Sequence, residues 1–519
     1  MPDPIWQFTN LIALPDTAAN HYLHSFILDL RDVPPILCYH GLDVQQTKSF
    51  TTQERGLRMK KKLTRRVIWM FAIGQLGWST LSAIVTNWVI SFYEPNEEML
   101  EAGQTVFLPQ GRVILGVVTI LGGIYALGRL FDAITDPWIA NLSDKSRNPK
   151  GRRLPFMKRA ALPLAAATIL IYWSPVNGTS PVNGVWVMVM MLLFYLFMTV
   201  YCTPYNALIA ELSGSQDELT AISTAISFTF IFGSALGYAC PFIWGALTPS
   251  LGRVMAIRVT FVILAVFALI CLLVPVFTIN ESDYVESRPA KGNAFSSLTR
   301  TFSNREFRIF VGSDICYWVA VTMFQSGLTF FITSLMKLPE TMNTVLYIGM
   351  TLLSVCLYAF VGKLTKLFAK KKLIIFAFVE FSVVYLITAL SRGQAGTNSG
   401  MIFGIAVMVF AAPAMAILGI LPQTVVADIA KSDEAQTGEN HDGMFFAART
   451  FAMKLGQSLA AVLFTSLATI GRANGTGYRI AAASSCVLCL IAAVLMKLYN
   501  EKKVMKILGE DQRIFPSRS

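Results

Sequence analysis

Gly128-Arg-Leu-Phe-Asp-Ala-Ile-Thr-Asp-Pro137 lies inside an apolar block running from 112 to 141, and its two carboxylates, Asp132 and Asp136, stand four residues apart, on one face if the block is a helix. What surrounds this stretch decides how it is read. To either side lie further apolar blocks of about twenty residues or more, the length that crosses the hydrocarbon core of a bilayer as a helix. Of 519 residues, 54% are hydrophobic and 14% charged, with a mean hydropathy of +0.55. Soluble domains carry about 25% charged residues. A soluble enzyme, a nucleic-acid binder or a disulfide scaffold has little sequence left to be built from, and an all-α membrane protein is expected.

Reading the blocks as helices places twelve spans near 65–93, 112–141, 158–175, 185–212, 221–247, 256–280, 308–336, 343–367, 373–391, 401–427, 444–471 and 478–499. Glycines and prolines inside them (Gly233, Gly237, Pro204, Pro413, Pro422) are tolerated where neighbouring helices re-satisfy the backbone. With both termini cytoplasmic, the inside segments hold Lys60 to Arg66, Lys145 to Arg159, Arg288 to Arg308, Lys363 to Lys372 and the tail from Lys497. That is about 29 basic residues inside against about 7 outside, the asymmetry of a multi-pass protein of the cytoplasmic membrane. The formal charge of +12 is thus a topology signal with acidic lipid headgroups as its partner, and nucleic acid is not implied.

The longest loop, 281–307, divides the chain into two six-helix halves, 59–280 and 308–499, followed by a tail, 500–519. Weak internal repetition supports the cut. Pro204-Tyr-Asn-Ala-Leu-Ile-Ala-Glu211 is echoed by Pro422-Gln-Thr-Val-Val-Ala-Asp428, and the basic pair Arg152 and Arg153 by the run Lys370 to Lys372. Parallel repeats of this kind mark major-facilitator transporters, with a site at mid-membrane between the halves. Residues 1–58 stand outside this pattern as an N-terminal extension; His21, His24, His40 and Cys38 match no closed metal-ligand spacing, and Met59-Lys-Lys-Lys reads as an ordinary start. Cys486 and Cys489 form a C-x-x-C inside a span, where cysteine behaves as a small apolar residue.

Charges inside spans carry the chemistry. Each Asp costs about 2.5–3.5 kcal/mol at a helix centre, so Asp132 and Asp136 together call for a proton, a metal cation or a basic partner. Two carboxylates beside the hydroxyl of Thr135 make a cage for Na+, and two close carboxylates also retain a proton more readily than one. Arg129 lies a turn earlier and could pair with Asp132, but one guanidinium cannot neutralise both. Lys454, with Thr450 and Arg449 before it on the eleventh span, is the complement expected from the other half. Asp314 lies close enough to the cytoplasmic helix end to be a solvated gate residue and Glu380 has no evident partner; the sequence leaves both open between function and structure.

These stretches, with Ser143-Asp-Lys-Ser-Arg-Asn-Pro-Lys-Gly-Arg-Arg-Leu-Pro-Phe156, Asp428 through Gly443 and Lys454-Leu-Gly-Gln, resemble the glycoside-pentoside-hexuronide:cation symporter family, the melibiose permease group of the major facilitators, over residues 60 to 500. The resemblance implies that Asp132 and Asp136 coordinate the coupling Na+ or H+, with Thr135 where an Asn is common and Thr199 as a further ligand. It places the family's helix-eleven lysine on Lys454 and the preceding threonine on Thr450. Departures fall on the substrate side: where galactoside carriers hold sugar with carboxylates and an arginine, this chain has Ser79, Cys202 and Ser227, and the aromatic packing position is Asn206. A galactoside is therefore not expected.

The expectation is a cation-coupled secondary symporter with a major facilitator fold that moves a sugar, glycoside or hexuronide by alternating access. It has no cofactor beyond the coupling ion, and one chain suffices. Arg129, Lys454, Thr450, Cys202 and Asn206 serve substrate or charge balance, while Asp144, Arg152 and Arg153 form a gating loop against helix ends of the other half. A lysolipid symporter or an exporter is the alternative of the same fold. A polytopic membrane enzyme would need an interfacial acid or histidine constellation, and His441 alone does not make one.

Overall fold

Backbone N–H and C=O groups cannot be left open in lipid, which restricts a chain of this composition to helices that satisfy themselves. The computed structural model has that form. It describes residues 63–114, 116–146, 148, 151–213, 215–284, 301–394, 398–437 and 442–509, all within the unit Lys60–Ser519. The extension 1–58, its histidines and Cys38, His441, most of the 281–307 loop and the end of the tail lie outside the described residues.

Twelve long helices follow one another: α1 (Arg65–Tyr93), α2 (Ile120–Asp144), α3 (Leu154–Ile171), α4 (Pro181–Leu212), α5 (Gln216–Tyr238, continued by Cys240–Leu251), α6 (Arg253–Thr278), α7 (Arg305–Phe330), α8 (Met342–Leu367), α9 (Lys370–Leu390), α10 (Ser399–Thr437), α11 (Asp442–Ala468) and α12 (Thr476–Leu498). Among the described residues, ten are long and apolar enough to cross a membrane, and α8, bent by 52°, makes an eleventh. The one left over is α2, whose middle carries Arg129, Asp132 and Asp136.

Local chemistry sets the ends. The hydroxyl of Thr119 accepts from Gly122 N–H, so α2 starts eight residues later than the apolar block, and Ile114 and Val118 ahead of it form an isolated antiparallel bridge. Pro155 in the first turn lets α3 begin at Leu154, ahead of the expected 158. Helix α10 runs on through Pro413 and Pro422 to Thr437, ten residues past the expected end.

Helices α1 to α6 pack among themselves, α1 against α5 and α6, α4 against α2 and α3. Likewise α7 packs against α11 and α12, and α10 against α8 and α9. Without a hydrophobic drive between helices in lipid, close approach at small residues does the work. A Cβ at Gly233 of α5 would lie 2.7 Å from the Leu76 carbonyl of α1. At Gly456 of α11 it would meet the Ile315 carbonyl of α7 at 3.2 Å and Trp318 Cβ at 3.4 Å.

The two groups meet along α2–α11, α1–α7 and α5–α8. Polar clasps sit at the end away from the basic helix termini. Asn96 Nδ2 donates to Thr333 and Ser334 at 2.8 Å each, Ser334 Oγ donates to Glu98 at 3.0 Å, and Lys337 Nζ reaches Glu98 at 2.5 Å. Arg253 pairs with Glu340 at 2.9 Å.

Candidate functional site

Helical spacing puts Asp132 and Asp136 on one face of α2, and that face looks across the seam to α11. Lys454 arrives from α11 between them: its Nζ lies 2.8 Å from Asp132 Oδ2 and 2.5 Å from Asp136 Oδ2. One ammonium therefore bridges two carboxylates from the other six-helix group. Ser458, a turn further along α11, donates to the Ala126 carbonyl at 3.1 Å and fixes the same crossing. The carboxylates are not equivalent. The Asp132 side chain is 8% exposed and that of Asp136 30%, so Asp136 is the more open to water.

Helix α4 supplies the other wall. Thr199 Oγ1 donates to Asp132 Oδ1 at 2.6 Å, and Thr203 Oγ1 to Asp136 Oδ1 at 3.5 Å. The guanidinium of Arg129 does not pair with Asp132; it lies over the Tyr195 ring, 5.1 Å from its centroid. Tyr195, Thr199 and Thr203 thus form a stripe with four-residue spacing facing α2. Sequence reading found Thr199 only through resemblance and missed Tyr195 and Thr203.

Other expected positions are not drawn to the carboxylates by the hydrogen bonds they make. Thr135 Oγ1 donates to the Asp132 backbone carbonyl at 3.2 Å, a local bond within its own helix. Thr450 is exposed and bonds the Phe446 carbonyl; Asn206 is exposed; Cys202 Sγ lies 3.3 Å from Met198 Sδ. Ser79 and Ser227 hydroxyls return to Leu76 and Ser223 carbonyls. Asp314 is not a solvated gate residue: it is buried, and Arg449 holds it with bonds of 2.8 and 3.1 Å. A bare carboxylate at that depth would cost far more than this paired one. Glu380 keeps a buried Oε2 without a hydrogen-bond partner among the described residues.

At the basic end, Arg152 and Arg153 reach Glu211 of α4 at 2.6 and 2.7 Å, and Arg153 also takes Asp144 at 2.5 Å. These bonds stay within the first helix group, where the expected gating contacts were to the other. Glu281, beyond α6, accepts from the N–H groups of Arg152, Arg153 and Leu154 at the start of α3. The second group repeats the device. Lys370 pairs with Asp428 of α10 at 2.5 Å, while Glu501, beyond α12, accepts from Lys370 and Lys371 N–H at the start of α9.

Comparison with known proteins bears on family and fold. A family model described as MFS/sugar transport protein matches residues 70–500. An uncharacterized symporter of Synechocystis sp. is 25% identical over 430 residues, covering 66% of this chain and 77% of its own. The putative glycoside/cation symporter YagG of Escherichia coli is 22% identical over 397 residues, covering 74% of this chain and 82% of its own. Among solved structures, the inward open xylose transporter XylE from E. coli superposes with a TM-score of 0.59 at 16% identity, over 84% of this chain and 95% of that one. That last likeness is one of fold.

Proposed function

This chain belongs to the MFS/sugar transport protein family, and from that premise we propose that it is a cation-coupled symporter of a sugar or glycoside in which Asp132 and Asp136 take the coupling ion. The observation that carries the reading is the bridge from Lys454 to both carboxylates across the seam. Two negative charges against one positive leave the cluster one cation short. In a low-dielectric site that deficit is a strong attraction for a proton or Na+.

Lys454 holds the place the ion would take. When Na+ or H+ arrives through the more exposed Asp136, the ammonium loses its hold on the pair and α11 is freed from α2. Thr199 and Thr203 supply neutral oxygens beside the carboxylates, a donor set that suits a hard cation such as Na+. Coupling follows because the same lysine ties the two helix groups together.

The groups, divided at 281–307, act as the two rocking halves, with the basic ends and both termini in the cytoplasm of a cell whose cytoplasmic membrane they span. The clasps of Glu98 and Glu340 then close the outer side, and the exposed Asn206, Ser227 and Thr450 face the inner path. Asp144, Arg152 and Arg153 act as the inner gating loop, exchanging Glu211 for partners on the other half when the inner side closes.

The test is initial uptake into proteoliposomes under an imposed Na+ or proton gradient, across sugars, glycosides, uronates and lysolipids. Gradient-driven accumulation of a glycoside is expected. Accumulation of a lysolipid alone assigns the amphiphile alternative, and uptake indifferent to either gradient overturns symport.

A further inference from the structure

A cavity of about 320 Å³, within the range of small-molecule sites, opens at the basic end of the second helix group. It lies among the start of α7, the last turns of α10 and the short helix α13 (Glu501–Ile507) that follows α12. Its lining includes Asn304, Arg305, Glu306, Ser432, Asp433 and Lys503. It shares no residue with the cluster of Asp132, Asp136 and Lys454, and it draws Ser432 and Asp433 from the Asp428 to Gly443 stretch, which that cluster leaves unused.

Glu306 is 5% exposed. Its Oε2 accepts from Asn500 N–H at 2.8 Å, while Oε1 is buried with no hydrogen-bond partner among the described residues. The neighbouring cations do not meet that need. Arg305 Nη1 stands 3.8 Å from Oε1 and Lys503 Nζ 4.0 Å, beyond hydrogen-bond reach, and their side chains are 68% and 54% exposed. Asp433, half-buried, is held by Asn304 Nδ2 at 2.8 Å. A buried carboxylate oxygen left open is costly until a donor reaches it. The charged lining is thus neutral overall, with its signs separated by depth: the acids withdrawn, the bases toward water.

We propose that this cavity is a second ligand site, distinct from the ion site, and that it takes a small zwitterion carrying a primary ammonium and a phosphate. The ammonium enters first and donates to Glu306 Oε1. The phosphate stays at the mouth, where Arg305 and Lys503 turn from their distant hold on Glu306 to bond its oxygens. Each charge of the ligand meets its opposite, and the sum over the cavity is unchanged. A lone anion would leave Glu306 Oε1 open, and a quaternary ammonium, which has no N–H, could not close it. Bound there, the ligand joins the start of α7, just after the 281–307 loop, to the end of α10. The same chemistry is offered by a free aminoalkyl phosphate and by the headgroup of phosphatidylethanolamine. The assignment stands without the symporter reading.

The experiment is equilibrium binding of radiolabelled phosphoethanolamine to the full chain in phosphatidylcholine nanodiscs, with phosphocholine and inorganic phosphate as comparisons. One phosphoethanolamine should bind per chain, and both comparisons should bind about tenfold more weakly or not at all, one charge-assisted hydrogen bond's worth. Glu306→Gln, which keeps an acceptor for Asn500 N–H and deletes the charge, should weaken binding by a similar factor. Arg305→Gln and Lys503→Gln should each weaken it about threefold or more, and because both side chains are exposed they decide the matter should Glu306→Gln fail to fold. Asp136→Asn should bind as the parent does, which separates this site from the ion site. Repeating the measurement in phosphatidylethanolamine nanodiscs identifies the source: binding lost there assigns the lipid headgroup, and binding retained assigns the free ligand. No binding in phosphatidylcholine, phosphocholine bound as well as phosphoethanolamine, or parental affinity in the folded variants overturns the proposal.

Discussion

At the scale of single residues, two hydroxyls tune the proposed ion site. Thr199 gives Asp132 a short bond of 2.6 Å, whereas Thr203 reaches Asp136 at 3.5 Å. Hydrogen bonds to charged groups contribute about 1.5–3 kcal/mol and weak ones a fraction of that, with 1.4 kcal/mol per factor of ten. Thr199→Val should therefore raise the cation concentration for half-maximal uptake about tenfold or more, and Thr203→Val about two- to threefold; a titration of uptake against Na+ or pH reads both. The carboxylates and the lysine were legible because charge within a span must be accounted for. The stripe of Tyr195, Thr199 and Thr203 was not, since hydroxyls in apolar helices often return to their own backbone, as Thr135 and Thr450 do. The sequence left Asp314 open for a related reason: its distance from the helix end says nothing of Arg449, which arrives from a helix 135 residues away. Asp314→Asn should lower the melting temperature markedly, because breaking one partner of a buried pair costs about 3–5 kcal/mol.

Helix ends and the loops between them carry the proposed gates. In the clasp proposed to close the outer side, burial opposes ionisation of Glu98, but hydrogen bonds from Lys337 and Ser334 outweigh it and hold the carboxyl below its ordinary value. A carboxyl with a depressed value favours the state that depresses it at pH above its unclasped value, and that preference is lost as pH falls through the clasped one. Acidifying the outer side below the ordinary carboxylate range should thus loosen the clasp and speed outward opening, read as labelling of a cysteine placed beneath it. Glu98→Gln should open it at neutral pH and remove the dependence. Lys337 itself holds φ +53°, a left-handed backbone uncommon outside glycine and a feature that clusters at switches. At the other end, Glu281 and Glu501 could not be assigned from sequence, because the helix starts they cap lie about 130 residues away along the chain. Glu281→Gln leaves three N–H groups with a weaker acceptor, and a lowered melting temperature is the expected result.

For the molecule as a whole, apolar block lengths and the helix-two motif were enough to read an all-α membrane transporter, because a bilayer permits so few backbones. Block edges were less reliable, since capping side chains such as Thr119 override hydropathy within a turn or two. The echo between Pro204–Glu211 and Pro422–Asp428 acquires a physical meaning in the structure: Glu211 holds Arg152 and Arg153 where Asp428 holds Lys370. Orientation is open to a direct check. Reporter fusions after Lys502 should read cytoplasmic, as the basic asymmetry demands; a readout from the outer side would reverse the gates argued above.

The central claim is that Asp132 and Asp136 bind the coupling ion in the place Lys454 otherwise holds. Equilibrium binding to the purified chain tests it most directly, with Na+ followed by isotope and protons by titration. The parent should bind one ion per chain, Asp132→Asn and Asp136→Asn should bind none, and Lys454→Met should bind about tenfold tighter or more, since a competing charge has been removed from a low-dielectric site. Binding by both Asn variants at the parent's level, or weaker binding by Lys454→Met, would contradict the account.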